Sequence, residues 1–137
     1  MTVATVFGVR SCGPGQRDAT FEVSSNAGWV RIPLSVQPGK TFKIAATGSW
    51  TVDYRNFPQV GPEGYDETAD AQIFQGCKVA PYAYAKLLGK FGTGPVFPVG
   101  SGGSFTDEDG GSLFLRINDA ESCFSDNDGT LTVHVTV

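Results

Sequence analysis

The chain has 137 residues, a length typical of a single domain with a full hydrophobic core. Its 18 glycines and 8 prolines, and the lack of a helical period over any long stretch, indicate an all-β protein. The formal net charge of −4 argues against a nucleic-acid partner, since phosphate backbones require a basic face.

Alternation of apolar and polar residues, interrupted by Gly/Pro-rich turns, predicts a series of short strands. The predicted strands or extended segments are residues 1–10, 20–24, 29–36, 41–52, 82–91, 95–99, 112–117 and 130–137. The predicted turns and flexible links are residues 11–18, 26–28, 37–40, 100–103 and 107–111. This spacing favours one domain over residues 1–137, an all-β, jelly-roll-like β-sandwich.

The sequence shows no sign of a signal peptide or a membrane-spanning segment. The first ten residues lack the charged start and apolar length of a signal peptide, and no apolar run is long enough to insert into a bilayer. We therefore expect synthesis in the cytoplasm, with later release or association with the cell surface left open. Whether the chain is a whole protein or a domain of a larger one is also left open.

The three cysteines, Cys12, Cys77 and Cys123, allow at most one internal disulfide. Their wide spacing matches no zinc motif. Free buried thiols are the expectation for a protein made in the cytoplasm, with one bridge as the alternative.

Residues 118–129 form an acidic segment between two predicted strands. It has four acidic side chains and two asparagines but no lysine or arginine, so it would repel itself without a cation. Calcium takes six to eight oxygen ligands of these kinds. The alternative is an ordinary surface loop, since Asp, Asn, Ser and Gly are common in turns.

A second unusual stretch, residues 53–72, is long and irregular, a feature typical of functional loops. Tyr54, Phe57 and Tyr65 lie in it and are predicted to be free to contact a ligand, whereas Trp29 and Trp50 are predicted to lie in the core. The only histidine, His134, alternates with two valines and is interpreted as a strand surface residue. No nucleophile, base and acid can be grouped, so the chain is predicted not to be an enzyme.

Several short motifs in a fixed order are similar to one known family. They are Gly48-Ser49-Trp50, Tyr54, Gly61-Pro62-Glu63-Gly64, Leu87-Leu88-Gly89-Lys90-Phe91-Gly92, Ile117-Asn118-Asp119 and Asp126-Asn127-Asp128-Gly129. Together they resemble the PA-IL family of calcium-dependent, galactose-binding bacterial lectins. The resemblance covers residues 36–137, while the N-terminal part agrees only in strand rhythm.

This resemblance implies a small jelly-roll sandwich that shares one Ca²⁺ between protein oxygens and two sugar hydroxyls. The implied metal ligands are the backbone carbonyls of Tyr54 and Cys123 and the side chains of Asp119, Asp126 and Asn127. The implied sugar contacts come from Asp119, Ala120, Asp126 and Asn127, with Thr68, Asp70, Gln72 and Tyr65 from the second stretch.

One departure from the family concerns sugar specificity. Galactose-binding members have a histidine and a glutamine where this chain has Thr68 and Ala71, unless a one-residue slip brings in Gln72. The resemblance still implies galactose-containing glycans as partners, and a homo-oligomer, either a dimer or a tetramer. The alternatives are a domain that calcium only stabilises, a module of a larger enzyme with another sugar specificity, and a calcium-independent module that stacks sugars on aromatic rings.

Overall fold

The structure is a computed structural model that describes residues 2–3, 5–13 and 16–137, with side chains described from residue 17 onward. Its strands are β1 (Thr2–Val3), β2 (Thr5–Gly13), β3 (Gln16–Ser24), β4 (Val30–Val36), β5 (Thr41–Thr51), β6 (Leu87–Phe91), β7 (Phe97–Pro98), β8 (Gly102–Thr106), β9 (Gly111–Ile117) and β10 (Asp128–Thr136). A short helix, α1, spans Glu67–Asp70, and a 3-10 helix spans Glu121–Asp126.

The strands form two five-stranded sheets, with the orders β1-β4-β9-β6-β7 and β2-β3-β10-β5-β8. Neighbouring strands are antiparallel, apart from the parallel pair β1 and β4. The two sheets pack against each other, which confirms the predicted all-β sandwich. The middle strands of the two sheets, β9 and β10, are the strands that the acidic segment joins.

The core between the sheets follows the period of two that the sequence predicts. In β5, Phe42, Ile44 and Ala46 are buried while their neighbours are exposed, and in β10 Leu131 and Val133 are fully buried. These two strands therefore bury one face and expose much of the other, as expected for a sandwich.

The two tryptophans differ in their environments. Trp50 is fully buried, as predicted, and its indole nitrogen donates a 2.6 Å hydrogen bond to the carbonyl of Ala85. The prediction that Trp29 is a core residue was wrong, because its ring is partly exposed. The Lys90 ammonium lies 4.7 Å from that ring's centroid and the Arg116 guanidinium 5.6 Å, so the ring serves as a cation–π surface.

Two predicted links lie partly in strands. Residues 11–18 were expected to form a loop, yet β2 extends to Gly13, which pairs with Gln16 of β3. The predicted link at residues 100–103 runs into β8, where Gly102 pairs with Ala45 of β5. In both places the Gly/Pro composition suggested a loop, but pairing with the neighbouring strand decides the conformation.

The strand predicted over residues 82–91 begins only at Leu87. Ala85 has a φ of +66°, in the left-handed region that interrupts an extended strand. The carbonyls of Tyr82 and Ala83 accept hydrogen bonds from the side chain of Asn118 instead of from a neighbouring strand. None of the helices in the described residues is long and apolar enough to cross a membrane.

Candidate metal centre

Asn118, directly after β9, fastens the neighbouring loop to the end of that strand. Its side chain is fully buried, and its Oδ1 accepts hydrogen bonds from the backbone nitrogens of Val79 (2.8 Å) and Ala80 (3.1 Å). Its Nδ2 donates to the carbonyls of Ala80, Tyr82 and Ala83 over 2.8–3.1 Å. The side chain thus uses its donors and acceptor fully, and it fixes the position from which the acidic segment starts.

Asp119 follows as a fully buried carboxylate. The residue is 0% exposed, and neither carboxylate oxygen has a hydrogen-bond partner. Burial raises the pKa of Asp119 to about 7; the Asp126 carboxylate adds to this rise, while the neighbouring Asn127 amide and Arg116 guanidinium oppose it. Buried polar groups in folded proteins are normally satisfied, so an orphaned carboxylate indicates a missing cation or proton.

Asn127, at the other end of the segment, presents a third oxygen of this kind. Its Nδ2 donates a 2.8 Å hydrogen bond to the carbonyl of Ser25, while its buried Oδ1 has no partner. Among side chains from residue 17 onward, five buried polar atoms lack partners, and three of these belong to Asp119 and Asn127. Carboxylate and amide oxygens are the ligands that a hard cation such as Ca²⁺ takes, so the donor set fits the metal.

The 3-10 helix between these residues shapes the rest of the segment. Cys123 donates its backbone N–H to the carbonyl of Ala120 over 2.9 Å, and Asn127 donates its own to Phe124 over 3.0 Å. The carbonyl of Asp126 accepts a 2.9 Å hydrogen bond from the backbone N–H of Tyr54. The structure therefore places Asp119, Cys123, Asp126 and Asn127 in one segment and Tyr54 beside it.

The turn at Tyr54 is held by a second buried acid. The Oδ1 of Asp53 accepts from the backbone nitrogens of Arg55 (3.0 Å) and Asn56 (3.2 Å), and its Oδ2 accepts from the Asn56 side chain (2.7 Å). The hydrogen bond from that side chain is the main cause that lowers the pKa of Asp53. Asp53 is thus satisfied locally, in contrast to Asp119.

Arg116 is a site residue that the sequence analysis missed. It is buried in β9, and its Nη2 donates to the carbonyl of Asp119 (2.6 Å) and to Oε1 of Glu121 (2.7 Å). The hydrogen bond from Arg116 lowers the pKa of Glu121. Arg116 occupies the polar parity of its strand, so nothing in the alternation marks it as buried.

Cys77 and Cys123 form a disulfide, with their Cα atoms 6.4 Å apart. The expectation of free thiols for these two residues was therefore wrong; the side chain of Cys12 lies outside the described part of the chain. Cys77 also accepts a 2.7 Å hydrogen bond at its carbonyl from the backbone N–H of Ala120. The bridge fastens the 3-10 helix of the acidic segment to residues far away in the sequence.

The residues predicted to contact sugar from the second stretch have different environments. Thr68 and Gln72 are exposed in and after α1. Asp70 is engaged, since its Oδ1 accepts from the backbone nitrogen of Tyr84 (2.7 Å) and its Oδ2 lies 2.8 Å from Lys78 Nζ. Tyr65 is buried, and its hydroxyl bonds with Thr51 and Pro58, so its ring offers no free face.

Among the side chains that the structure describes, two large hydrophobic ones are strongly exposed, Tyr54 (53%) and Phe74 (91%). Tyr54 is linked to the acidic segment through its hydrogen bond with Asp126. Phe74 shortly precedes Cys77, whose disulfide reaches Cys123. Both exposed rings therefore belong to segments fastened to the candidate metal centre, and Phe74 was not predicted as a site residue.

His134 lies outside this centre, as predicted. It is partly exposed in β10, and the flanking residues Val133 and Val135 are fully buried. Its Nε2 is 3.3 Å from Oδ2 of Asp18 on the neighbouring strand.

Comparison with known proteins supports the fold. No model of a known protein family matches the chain, and no curated protein sequence matches it. Among solved structures, it is similar to the N-terminal domain of EclA, described as a PllA-like lectin, with a TM-score of 0.66 and 20% sequence identity. That similarity covers 85% of this chain and 92% of the EclA domain, so the two share the architecture of a complete β-sandwich.

Proposed function

We propose that this protein binds carbohydrate through a calcium ion held by the acidic segment and the turn at Tyr54. The observation that supports this most is the pair Asp119 and Asn127, whose three buried oxygens have no donor. A calcium ion would satisfy these oxygens and would accept sugar hydroxyls as further ligands. The similarity to the EclA domain, which is described as a lectin, supports carbohydrate binding in general.

Five residues of this chain would hold the calcium ion. Asp119, Asp126 and Asn127 would contribute side-chain oxygens, and Cys123 and Tyr54 backbone carbonyls. Arg116 positions Asp119 through its carbonyl, and Asn127 is oriented by Ser25. Because these supporting groups are not themselves proposed metal ligands, we expect them to hold the ligands in place, which lowers the cost of binding.

The proposed sugar is a galactoside recognised through neighbouring hydroxyls. Asp126 and Asn127 both influence the pKa of Asp119, so we expect the three side chains to contact neighbouring hydroxyls of one sugar, and the N–H of Ala120 is already used by Cys77. Charge-assisted hydrogen bonds contribute about 1.5–3 kcal/mol each. Exposed Thr68 and Gln72 remain candidates for contacts beyond the diol, whereas buried Tyr65 is left out.

Exposed aromatic rings supply a second mode of contact. Sugar rings and aromatic aglycones present flat apolar faces that stack on such side chains. Tyr54 and Phe74 belong to segments joined to the centre, so we expect aryl galactosides to bind better than free galactose.

We also propose that the protein assembles into a dimer or a tetramer. Light scattering after size-exclusion chromatography would measure its oligomeric state.

A second candidate is a calcium-stabilised domain that binds no sugar. The full burial of Asp119 favours it, since this carboxylate could hold an ion that serves only to fix the segment. The two candidates differ in whether ligand positions on the ion are accessible.

A glycan array probed with and without a calcium chelator separates the candidates. We expect binding to β-galactosides that chelator abolishes, and a weaker preference for aryl galactosides in Phe74→Ala. Calcium-dependent stability without any glycan signal would favour the structural domain. Glycan binding that persists in chelator would overturn the calcium mechanism in favour of aromatic stacking alone.

A further inference from the structure

A second group of metal-binding side chains lies next to the calcium candidate. The ligand atoms of Cys77, Cys123 and Asp119 all lie within 4.8 Å of one another. Two of these atoms are the bonded sulfurs of the disulfide, so they can contact an ion only after reduction lets them separate. Zinc binds thiolates at about 2.3 Å and carboxylates at about 2.0–2.2 Å. Sequence spacing could not reveal the group, because its members come from distant segments.

Backbone hydrogen bonds hold Cys77 and Cys123 in addition to the disulfide. The N–H of Cys77 donates to the hydroxyl of Tyr84 over 2.8 Å, and its carbonyl accepts from Ala120 over 2.7 Å. The N–H of Cys123 donates to the carbonyl of Ala120 over 2.9 Å. Ala120 is therefore hydrogen-bonded to both cysteines, so we expect their backbones to stay close together when the disulfide is reduced.

We infer that reduction of the Cys77–Cys123 disulfide creates a site for a thiophilic divalent cation, Zn²⁺ or Cd²⁺, with Asp119 as the third ligand. A dithiol reductant gives two electrons and two protons to the disulfide, so that two thiols form while the reductant becomes a disulfide. Metal binding then replaces the two thiol protons, which pass to the buffer. Cys123 is partly exposed, so a water molecule can take the fourth position.

This inference goes beyond the proposed function and does not depend on it. Asp119 is common to the two sites, so a zinc ion in the reduced protein competes with a calcium ion for the same carboxylate. The oxidation state of the cysteines would thereby decide which class of metal the segment takes: oxygen ligands for a hard cation, or thiolates for a soft one.

The test uses the full chain with Cys12→Ser, which removes the third thiol from the measurement. The protein is reduced, freed of reductant under nitrogen and titrated with Co²⁺, whose thiolate complexes absorb in the near ultraviolet, and then with Zn²⁺. We expect the reduced protein to bind one metal ion per chain, with thiolate absorption. The oxidised protein should show no thiolate absorption. Asp119→Asn should weaken zinc at least about tenfold, since even outer-shell changes weaken metal sites 10–100-fold.

Cys123→Ser is the decisive control, because it should abolish the thiolate absorption while circular dichroism reports whether the fold remains. Equal uptake by the oxidised protein or by Cys123→Ser would overturn the inference, as would a reduced, folded protein without thiolate absorption. A reduced protein that unfolds and is not refolded by zinc would overturn it as well.

Discussion

The amide of Asn127 donates a 2.8 Å hydrogen bond to the carbonyl of Ser25, which lies just past the end of β3. Ser25 in turn donates its backbone N–H to Gly129 over 3.1 Å, so both sides of the junction before β10 are fixed. The amide oxygen of Asn127 is buried and has no donor. The hydrogen bond from the amide nitrogen to Ser25 fixes the orientation of the side chain, and with it the direction in which this oxygen points.

Asp119→Asn should remove the response of the protein to calcium. Wild-type protein should melt several degrees higher at a hundredfold excess of calcium over its dissociation constant, which corresponds to about 2.7 kcal/mol. The variant should show no such shift, because it loses the carboxylate that pairs with the ion. Differential scanning calorimetry measures both, and Asp128→Asn, an exposed acid in the same region, is the matched control. A calcium shift retained in Asp119→Asn would contradict the assignment.

Stability without metal should fall as pH rises. The pKa of Asp119 is about 7 in the folded protein, against an ordinary value near 3.8, so the folded state favours the protonated acid. This contribution is fully present below pH 4 or so and is lost as pH rises through about 7. Calcium requires the ionised form, so its binding should release a proton below pH 7 and weaken on acidification. Isothermal titration calorimetry of calcium binding, in buffers of different ionisation enthalpy, measures the number of protons released. The absence of proton release at pH 6 would contradict this prediction.

Asn118→Ala should destabilise the sandwich and the centre together. The change removes five hydrogen bonds to the backbone of residues 79–83. The carbonyls of Ala80 and Ala83 keep other backbone donors, so the nitrogens of Val79 and Ala80 and the carbonyl of Tyr82 are left unsatisfied. Each buried group left unsatisfied costs about 1–3 kcal/mol, so a total loss of several kcal/mol is expected. Urea unfolding measures it. Gln37→Ala, in an exposed turn, should stay within about 0.5 kcal/mol of wild type, and an equally small effect for Asn118→Ala would refute its anchoring role.

The period of two in β5 and β10 was enough to predict the sandwich, because it records which face each strand buries. The acidic segment was found from composition, since like charges without a countercharge indicate a cation. Long-range partners could not be found this way. The disulfide from Cys77 to Cys123, the burial of Arg116 and the bonds of Asn118 depend on segments that meet only after folding.

The burial of aromatic side chains could not be predicted from the local sequence either. Tyr65 and Phe74 are both large and near irregular chain, yet the former is buried with its hydroxyl bonded and the latter is almost fully exposed. Local sequence does not distinguish them, because their burial depends on the strands and loops packed around them.

No glycosidase activity is expected. Glu63 is one of the acids in the irregular stretch, and its Oε2 accepts hydrogen bonds from the backbone N–H and hydroxyl of Ser101. These bonds lower the pKa of Glu63, whereas a general acid at neutral pH needs a raised pKa. Release of nitrophenol from nitrophenyl glycosides would measure turnover. Activity lost in Glu63→Gln or Glu67→Gln would show that the prediction is wrong.

The most direct measurement is isothermal titration calorimetry of galactose, glucose and phenyl β-galactoside into the protein with excess calcium, repeated in chelator. We predict weak galactose binding near the millimolar range, about −4 kcal/mol, tighter binding of the phenyl galactoside, and no detectable glucose binding. All heat of binding should disappear in chelator. Galactoside binding of unchanged affinity in chelator would contradict the central claim, and glucose bound as tightly as galactose would refute the specificity.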